Sequence, residues 1–283
     1  MTSLVSAMIR CRQLVPDEVD HVAKLLKIWL SDRSLEYWQN ALAVLSRHNA
    51  PESFPKFGYV LETDGSLVGV LLTIFSRLPC GTLRANFSSW YVDPKFRPYG
   101  SLLSAQPLKY GVAYLNTTPV PHTLPILQTQ GFWQLTSGVF LATGILDAAR
   151  RSEIYTFPDC PLAHVPESER QLLFDHSSYG CICLWCENED GGLPFIFRRR
   201  HIFARKLPAA HLIYCRDMRC LSQHAGSVSR FLLKSGIPCI TVNCNGAIEG
   251  FLGRFFKNFR PMYCRGEVRV GDIAYTEGAM FGM

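Results

Sequence analysis

The pattern of apolar and polar positions changes period several times in the first half of the chain, and these changes separate helices from strands. Residues Met8 to Leu14 alternate as in a strand. Pro16 and the two acidic residues after it are typical of a helix start, and the helical pattern continues to Trp29. Ser34 is a suitable N-cap for a second helix over Leu35 to Arg47.

Three apolar segments then predict an antiparallel meander. The first two, Phe57 to Leu61 and Leu67 to Phe75, are separated by T-D-G-S, with Asp64 and Gly65 in the turn. This is a hairpin signal. The third segment, Leu83 to Val92, predicts a long third strand.

After this meander the order of elements changes. A helix is predicted over Leu102 to Ala113, a short strand over Ala113 to Asn116 and a further helix over Pro119 to Gln130, and Gly131 begins extended structure. A strand–helix–strand order needs a crossover connection, so we expect at least one parallel strand pair.

The second half repeats this order more loosely after a connector over Leu146 to Pro166. Its predicted strands are Cys181 to Cys186, Leu193 to Phe197, His211 to Cys215 and Pro238 to Asn243, its helices Val228 to Lys234 and Ile248 to Phe256, and its last extended segment Pro261 to Cys264. The predicted fold class is therefore α/β of the mixed α+β kind. We expect two tandem modules, 1–147 and 148–283, each with a mixed, mostly antiparallel sheet flanked by helices.

Composition excludes several protein classes. The 283 residues are 48% hydrophobic and 18% charged, which disfavours disordered, collagen-like and coiled-coil chains. No apolar stretch approaches the roughly 20 residues of a membrane span, and the N-terminus lacks the pattern of a secretory signal. We therefore expect a soluble, cytoplasmic protein.

The net charge of +6 is mild, and its densest run is Arg198 to His201. Such a run could contact nucleic acid, phosphate or anionic lipid, or it could be a solvated strand end. Because no nucleic-acid-binding motif accompanies it, we expect no nucleic acid partner.

Cysteines are concentrated after residue 150, where nine of the 11 lie. The odd count and the missing export signal disfavour a disulfide scaffold. A C-x-C-x-x-C run over Cys181 to Cys186, with His176 upstream, suggests a metal site. The next cysteines, Cys215 and Cys220, lack the spacing of a second zinc knuckle. No metal is therefore expected, and burial as small apolar side chains is the alternative.

The segment W-Y-V-D-P-K-F-R-P-Y-G-S-L-L, Trp90 to Leu103, has the most specific pattern in the chain. A strand that ends in a tight loop and leads directly into a helix aims backbone N–H groups at one point, which suits a pyrophosphate. Gly100 would let the backbone approach an anion closely. Arg97 and Lys95 would add positive charge, and Ser101 would contact the anion or cap the helix.

This segment resembles the signature of the GNAT acyl-CoA N-acyltransferase superfamily, a strand ending V-x-P followed by [QR]-x-x-G-x-[GA]. Four positions match in register: Val92, Pro94, Arg97 and Gly100. Leu102 departs from the pattern, because a small residue is usual there, and would tighten the site. Gly131 and Phe132 resemble the family's later G-F, and the resemblance covers roughly residues 8 to 145.

The resemblance implies a V-shaped sheet in which acetyl-CoA or another acyl-CoA lies between two splayed parallel strands. An amine, from a small molecule or a peptide, would attack the thioester directly. This reaction needs a base, an oxyanion donor and a proton for the thiolate. The implied cofactor-binding residues are Trp90, Tyr91, Val92, Arg97, Pro98, Tyr99, Gly100, Ser101 and Leu102.

The family's usual acid and base have no counterpart in this sequence. Ser89 stands about where many members carry a glutamate, and Leu127 stands where many carry a tyrosine. The remaining candidates are chosen by location only, and they are Tyr91, Tyr99, Asn116 and His122. His122 could equally make a structural hydrogen bond at a helix start.

Three polar residues near the C-terminus, Asp272, Tyr275 and Glu277, could line a cleft between the modules or brace the end of the chain. The second module has no glycine over Arg216 to Ser222, so we expect it to bind no CoA.

Three hypotheses remain. The chain is an acyl-CoA acyltransferase, a non-catalytic ligand- or partner-binding protein of the same fold, or an interaction protein stabilised by zinc.

Overall fold

The computed structural model describes residues 8–143, 152–188, 191–203 and 207–282. The described strands of the first half are β1 (Arg10–Gln13), β2 (Gly58–Thr63), β3 (Ser66–Arg77), β4 (Leu83–Val92), β5 (Ala113–Asn116) and β6 (Trp133–Thr143). Those of the second half are β7 (Glu153–Thr156), β8 (Ile182–Asn188), β9 (Gly191–Ile202), β10 (Leu207–Cys215), β11 (Cys239–Cys244) and β12 (Leu252–Arg265).

Helices connect these strands. They are α1 (Val19–Trp29), α2 (Leu35–Arg47), α3 (Gly100–Ala105), α4 (Leu124–Thr129), α5 (Glu167–Ser178), α6 (Met218–Gln223), α7 (Ala225–Lys234) and α8 (Glu277–Met280). Short 3-10 helices cover Pro16–Glu18, Pro94–Tyr99, Pro107–Tyr110, Pro121–Thr123 and Leu162–His164.

Helix α2 and the β2–β3 hairpin are confirmed, and the structure shows the cap and the turn that the sequence predicted for them. Helix α2 has the predicted bounds, and the Ser34 hydroxyl accepts a hydrogen bond from the Tyr37 N–H at 3.1 Å, as an N-cap does. In the β2–β3 turn, Asp64 and Gly65 both have positive φ, at 48° and 75°. That geometry matches the right-handed twist of the two strands.

The strands form one mixed sheet in the order β1-β2-β3-β4-β5-β12-β6-β11-β10-β9-β8-β7. Among its described pairings only β4 with β5 and β10 with β11 are parallel. The predicted fold class, mixed and mostly antiparallel with flanking helices, is therefore confirmed.

The two halves interlock through their last strands. Strand β12, from the second half, lies between β5 and β6, and β6 lies between β12 and β11. Each half thus supplies a strand to the sheet of the other. The predicted division between 147 and 148 lies outside the described residues and stays a prediction.

Three predicted elements are wrong or too long. The helix expected over Ile248 to Phe256 is instead a bend followed by β12, whose Phe255 pairs with Phe140 of β6. The expected connector over Leu146 to Pro166 contains β7 in its described part. The helix expected over Leu102 to Ala113 ends at Ala105, because Pro107 has no N–H to continue an α-helix.

Helices cover both faces of the sheet, since alternate residues of each strand point to opposite faces. On one face α1, α2, α5 and residues 273–281 share a core that includes Leu26, Leu42, Leu172 and Ala274. On the other face α3 and α4 pack over the first half, and α6 and α7 pack over the second half. Within the described ranges no helix combines the length and the apolar character needed to cross a bilayer.

The C-terminal segment, residues 271–281, is buried throughout and returns to the first half. The Arg84 guanidinium of β4 donates to the Asp272 carboxylate at 3.1 Å and to the main-chain oxygens of Asp272 and Ala274 at 3.0 and 2.7 Å. Both side chains of this ion pair are only 3% exposed. The segment is therefore fixed to the first half by a buried ion pair.

Candidate functional site

Strands β4 and β5 separate after a short parallel ladder. They pair only over residues 84–86 and 113–115, and the last pair joins Asn86 to Leu115. Strand β4 continues to Val92, six residues beyond that point. The V-shaped opening expected between two parallel strands is therefore present.

A bulge in β4 lies beside this opening. Ser88 pairs with Leu72 and Tyr91 pairs with Val70, so β4 has one more residue than β3 in this interval. Ser89, within the bulge, has a φ of 50°. Bulges bend a strand and change the direction of its side chains, and here the bulged residues face the opening.

The opening holds a cleft of about 210 Å³. Its walls come from the α1–α2 connection, from α2, from β4 and from the segment after β5. The lining residues are Leu30, Asp32, Arg33, Trp38, Phe87, Ser88, Ser89, Trp90, Asn116, Thr118, Pro119, Val120 and Thr123. Both charged and hydroxyl groups are thus available to a ligand beside apolar ring surface.

The expected anion-binding loop is a 3-10 helix over Pro94–Tyr99 that leads directly into α3. Asp93 caps it by accepting a hydrogen bond from the Lys95 N–H at 2.9 Å. Pro98 has no N–H, so the loop offers one backbone donor fewer than its length suggests. The exposed side chains of Lys95 and Arg97 make no hydrogen bond or ion pair with any described residue.

Gly100 begins α3 and is buried, but its surroundings leave room for a small side chain. A Cβ at this position would meet Val92 Cγ2 at 3.6 Å and Ile126 Cδ1 at 4.0 Å, which are ordinary contacts. The protein's own packing therefore does not require a glycine here.

The predicted cofactor-binding residues do not all lie in one place, and Val92 packs against the core beneath α3. Trp90 lines the cleft, and the residues from Arg97 to Leu102 form the surface turn above it. Leu102 is 39% exposed, so its side chain faces solvent. Tyr91 points away from the cleft and stacks on Trp29 with ring centroids 4.6 Å apart.

Of the four candidate catalytic residues, Asn116 alone lines the cleft, and Tyr99 is exposed outside it. Its side-chain oxygen accepts a hydrogen bond from the Thr118 N–H at 3.2 Å, which holds the turn after β5. His122 is exposed and Tyr91 is packed on Trp29, and neither side chain lines the cleft. The geometry gives no support to a catalytic role for either of these two.

A carboxylate lies directly behind the cleft wall. Glu277 is fully buried, and its oxygens accept hydrogen bonds from the Thr117 and Thr118 hydroxyls at 2.5 and 2.8 Å and from the Asn86 amide. The sequence indicated Glu277 as a possible cleft residue. It contained no sign of Asn86, which lies inside a predicted strand, and Thr117 and Thr118 were notable only because they follow the predicted strand Ala113 to Asn116.

Arginines surround this carboxylate at longer range. Burial, and then the charges of Arg260 and Arg198, lower the pKa of Arg200 to about 10, while Glu277 acts in the opposite direction. Arg198 donates to the main-chain oxygens of Tyr179 and, at 3.2 Å, Ala279. The densest basic run of the sequence is therefore strand β9, and two of its arginines lie against the C-terminal segment.

Solved structures of the same architecture settle the fold. A GCN5-related N-acetyltransferase from Anabaena variabilis aligns with a TM-score of 0.60 and 9% identity over 91% of this chain and 72% of its own. A candidate acetyltransferase from Pyrococcus horikoshii aligns with a TM-score of 0.57 and 13% identity over 94% and 93%. A candidate N-acyltransferase from Enterococcus faecalis, of unknown function, gives 0.54 and 10% over 94% and 73%.

The chain has the GNAT fold. Identities this low show the fold and not the reaction. No family model matches the sequence, and no curated protein matches it either. The resemblance seen in the loop residues is thus confirmed at the level of the fold.

The second half of the sheet also contains a short parallel strand pair that separates. Strands β10 and β11 pair only over residues 209–211 and 239–241, and Ile213 is an extra residue in β10. One buried apolar cluster covers the space beyond, and it includes Phe140, Leu212, Leu221, Val242, Cys244, Ile248 and Phe251. That the second half binds no CoA stays a prediction.

The residues of the hypothetical zinc site make other contacts. The His176 ring bonds the Leu172 oxygen at 2.8 Å through Nδ1 and accepts from the Tyr275 N–H at 3.2 Å through Nε2. Burial raises the pKa of the Cys183 and Cys186 thiols. No group of three or more metal-ligating side chains is arranged around one point in the described ranges. The zinc hypothesis therefore has no support from the geometry.

Proposed function

We propose that this chain is an acyl-CoA-dependent N-acyltransferase with one active site, between β4 and β5. The observation that carries the proposal is the open cleft at the splay of two parallel strands in a chain with the GNAT fold. The acyl-CoA thioester enters this cleft, and an amine of a small molecule or a peptide approaches from the side of the α1–α2 connection. Use of acyl-CoA fits the predicted cytoplasmic location.

The bulge in β4 supplies the polar backbone for the thioester. A bulge leaves one residue outside the regular ladder, so backbone groups of Ser89 and Trp90 are available at the cleft. An N–H group there stabilises the negative charge that develops on the carbonyl oxygen during attack.

The pyrophosphate binds at the start of α3. Arg97 and Lys95 are exposed cations without a partner in the described part of the chain, and Gly100 places no side chain at the start of α3. The positive end of the helix and the two cations act in the same direction.

The reaction itself is a direct transfer. The amine nitrogen forms a bond to the thioester carbon, the carbon–sulfur bond breaks with its electron pair on sulfur, and the thiolate takes a proton. The products are an amide and free CoA. The family's usual acid position is the fully buried Leu127, so the proton for sulfur comes from another group or from water.

The first test is thermal unfolding with acetyl-CoA and with longer acyl-CoAs. A ligand that binds only the native state at about 100 times its Kd raises the unfolding free energy by about 2.7 kcal/mol. We expect a rise in melting temperature for the unmodified chain. No rise at millimolar ligand would refute the proposal.

Variants of the loop locate the ligand. Arg97→Glu should lower the acyl-CoA-dependent rise, because it reverses a charge next to the pyrophosphate. Lys24→Glu, at an exposed cation of α1, is the matched control and should leave the rise unchanged. Gly100→Glu should abolish it, and Gly100→Ala, whose Cβ fits without a clash, shows whether the fold accepts a side chain there.

A non-catalytic binding protein of the same fold is the second candidate. Ser89 and Leu127 favour it, because neither side chain can act as the acid or base that the reaction needs. Release of free thiol with a library of amines separates the two: turnover supports the enzyme, and acyl-CoA binding without turnover supports the binding protein.

A further inference from the structure

Glu277 differs from the other buried carboxylates of the described chain. Asp272 pairs with Arg84 at 3.1 Å and Glu169 pairs with Arg216 at 2.7 Å. Glu277 is more deeply buried than either, and it forms no ion pair with any described residue. Burying a carboxylate is costly unless its charge is compensated. Here the direct partners are neutral donors, and the buried Arg200 acts on the carboxylate only at longer range.

Its position coincides with the apex of the splay. Asn86 is the last residue of β4 that pairs with β5, and Thr117 and Thr118 follow directly after β5 ends. All three donate to the Glu277 carboxylate. The carboxylate therefore lies behind the point where the two strands of the cleft separate.

Thr118 connects this carboxylate with the cleft. It is exposed and lines the cleft, while its hydroxyl donates to Glu277 Oε1 at 2.8 Å. A threonine hydroxyl has one proton and two acceptor lone pairs. With its proton directed at Glu277, its lone pairs remain for a donor inside the cleft.

Thr117 offers an internal comparison. Its hydroxyl donates to the same carboxylate oxygen at 2.5 Å, but it is not among the residues that line the cleft. The two neighbouring threonines thus share the carboxylate and differ in access to a ligand.

We propose that Thr118, supported by Glu277, accepts the proton of the acceptor amine. The inference rests on the proposed acyltransferase function. The acceptor ammonium transfers a proton to Thr118 Oγ1 as Thr118 transfers its own hydroxyl proton to Glu277 Oε1. The neutral amine then forms the carbon–nitrogen bond, the thioester carbon–sulfur bond breaks, and the thiolate takes the second amine proton. After the product leaves, the relay runs in reverse: Glu277 gives its proton back to Thr118 Oγ1, and Thr118 releases a proton to the water that enters the cleft.

In this arrangement Thr118 contacts the amine, and Glu277 acts through Thr118 as a positioning residue. The pair takes the place of the glutamate that is missing at Ser89. It comes from the opposite end of the chain, because the C-terminal segment returns to the first half.

The test uses four full-length chains: unmodified, Thr118→Val, Thr117→Val and Glu277→Gln. Thiol release is measured with acetyl-CoA and the best amine of the library, from pH 6 to 10, and melting temperature is measured with and without acetyl-CoA. Valine has nearly the shape of threonine, so both threonine variants should fold.

We expect kcat of Thr118→Val and Glu277→Gln to fall at least tenfold at pH 7, with the loss shrinking at high pH, where the amine is already neutral. Thr117→Val should lose no more than about threefold. The acetyl-CoA-dependent rise in melting temperature should persist in every variant, because the pair does not contact the cofactor.

Equal losses of activity and melting temperature in the two threonine variants would refute the proposal and assign Glu277 to bracing alone. A tenfold loss in Thr118→Val that is the same at every pH would also refute it. Failure of the proposed function gives a different result, which is the absence of any acetyl-CoA-dependent rise in the unmodified chain.

Discussion

Both halves of the sheet contain a short parallel strand pair that separates, but they differ in the side chains beyond the separation. Each has a short parallel pair that separates and an extra residue in the strand at the separation, in β4 and in β10. In the first half the gap is an open cleft. In the second half the strands beyond the separation contribute apolar side chains, such as Leu212 and Val242, to one buried cluster.

The difference shows that the splay alone does not make a binding site. Serines and the residues after Asn116 leave the first gap open, whereas Ile248 and Phe251 contribute to the cluster that covers the second. The loops differ as well, because Gly100 begins α3 and no glycine stands near the start of α6. Side chains at the splay therefore decide which half can take a ligand.

The strongest dependence between the halves is the buried ion pair of Arg84 and Asp272. Arg84→Met would leave a buried carboxylate without its principal partner, and breaking such a pair costs about 3–5 kcal/mol. We expect a loss of this order in the unfolding free energy by chemical denaturation. A loss under about 1 kcal/mol, the range of an exposed pair, would show that the C-terminal segment is not fixed to the first half by this pair.

Removing a buried ring from the apolar cluster of the second half tests how much this cluster stabilises the fold. Phe251→Ala should lower the unfolding free energy by roughly 3 kcal/mol, because it removes a large buried ring. Leu233→Ala, at an exposed leucine of α7, is the control and should cost far less. An additional acyl-CoA-dependent stabilisation in Phe251→Ala would contradict the view that the second half lacks the loop for this ligand.

Three of the buried histidines predict that the unfolding free energy depends on pH. Burial lowers the pKa of His48, lowers that of His176 to about 4 and lowers that of His211 well below its usual value. Below about pH 6.5 these histidines therefore bind protons in the unfolded chain but stay neutral in the folded chain. Stability should thus be full above about pH 6.5 and fall with decreasing pH, by about 1.4 kcal/mol per pH unit for each proton taken up.

Denaturation curves at several values between about pH 4.5 and 7.5, on both sides of the ordinary histidine pKa, measure this slope. His176→Gln should reduce the slope of the unfolding free energy against pH, because unfolding of the variant takes up one proton fewer. An unfolding free energy that does not change over this range would show that these histidines titrate normally in the folded chain.

The sequence allowed those parts of the fold to be predicted that depend on neighbouring residues. The Ser34 cap, the Asp64–Gly65 turn and the strand before Asp93 each follow from a few adjacent side chains. The resemblance at Arg97 and Gly100 is local in the same way. For this reason a short stretch of sequence is sufficient to indicate the GNAT fold.

The other parts of the fold, and the candidate site, depend on contacts between residues that are distant in sequence. The first part of β12, up to Phe256, is predicted as a helix and its later part, Pro261 to Cys264, as extended. Its pairing with β6 joins residues that are distant in sequence, as in the Thr143–Leu252 contact over 109 positions. Glu277 reaches Thr118 over 159 positions and Asn86 over 191. No periodicity of the sequence relates such residues to one another.

The most direct test of the difference between the halves is the stoichiometry of acyl-CoA binding. Isothermal titration with acetyl-CoA should give one site per chain. Ser88→Leu, which adds a side chain to the first cleft, should abolish binding and leave a folded protein. Two sites per chain, or one site unaffected by Ser88→Leu, would contradict the proposal that the ligand binds at the β4–β5 splay and there alone.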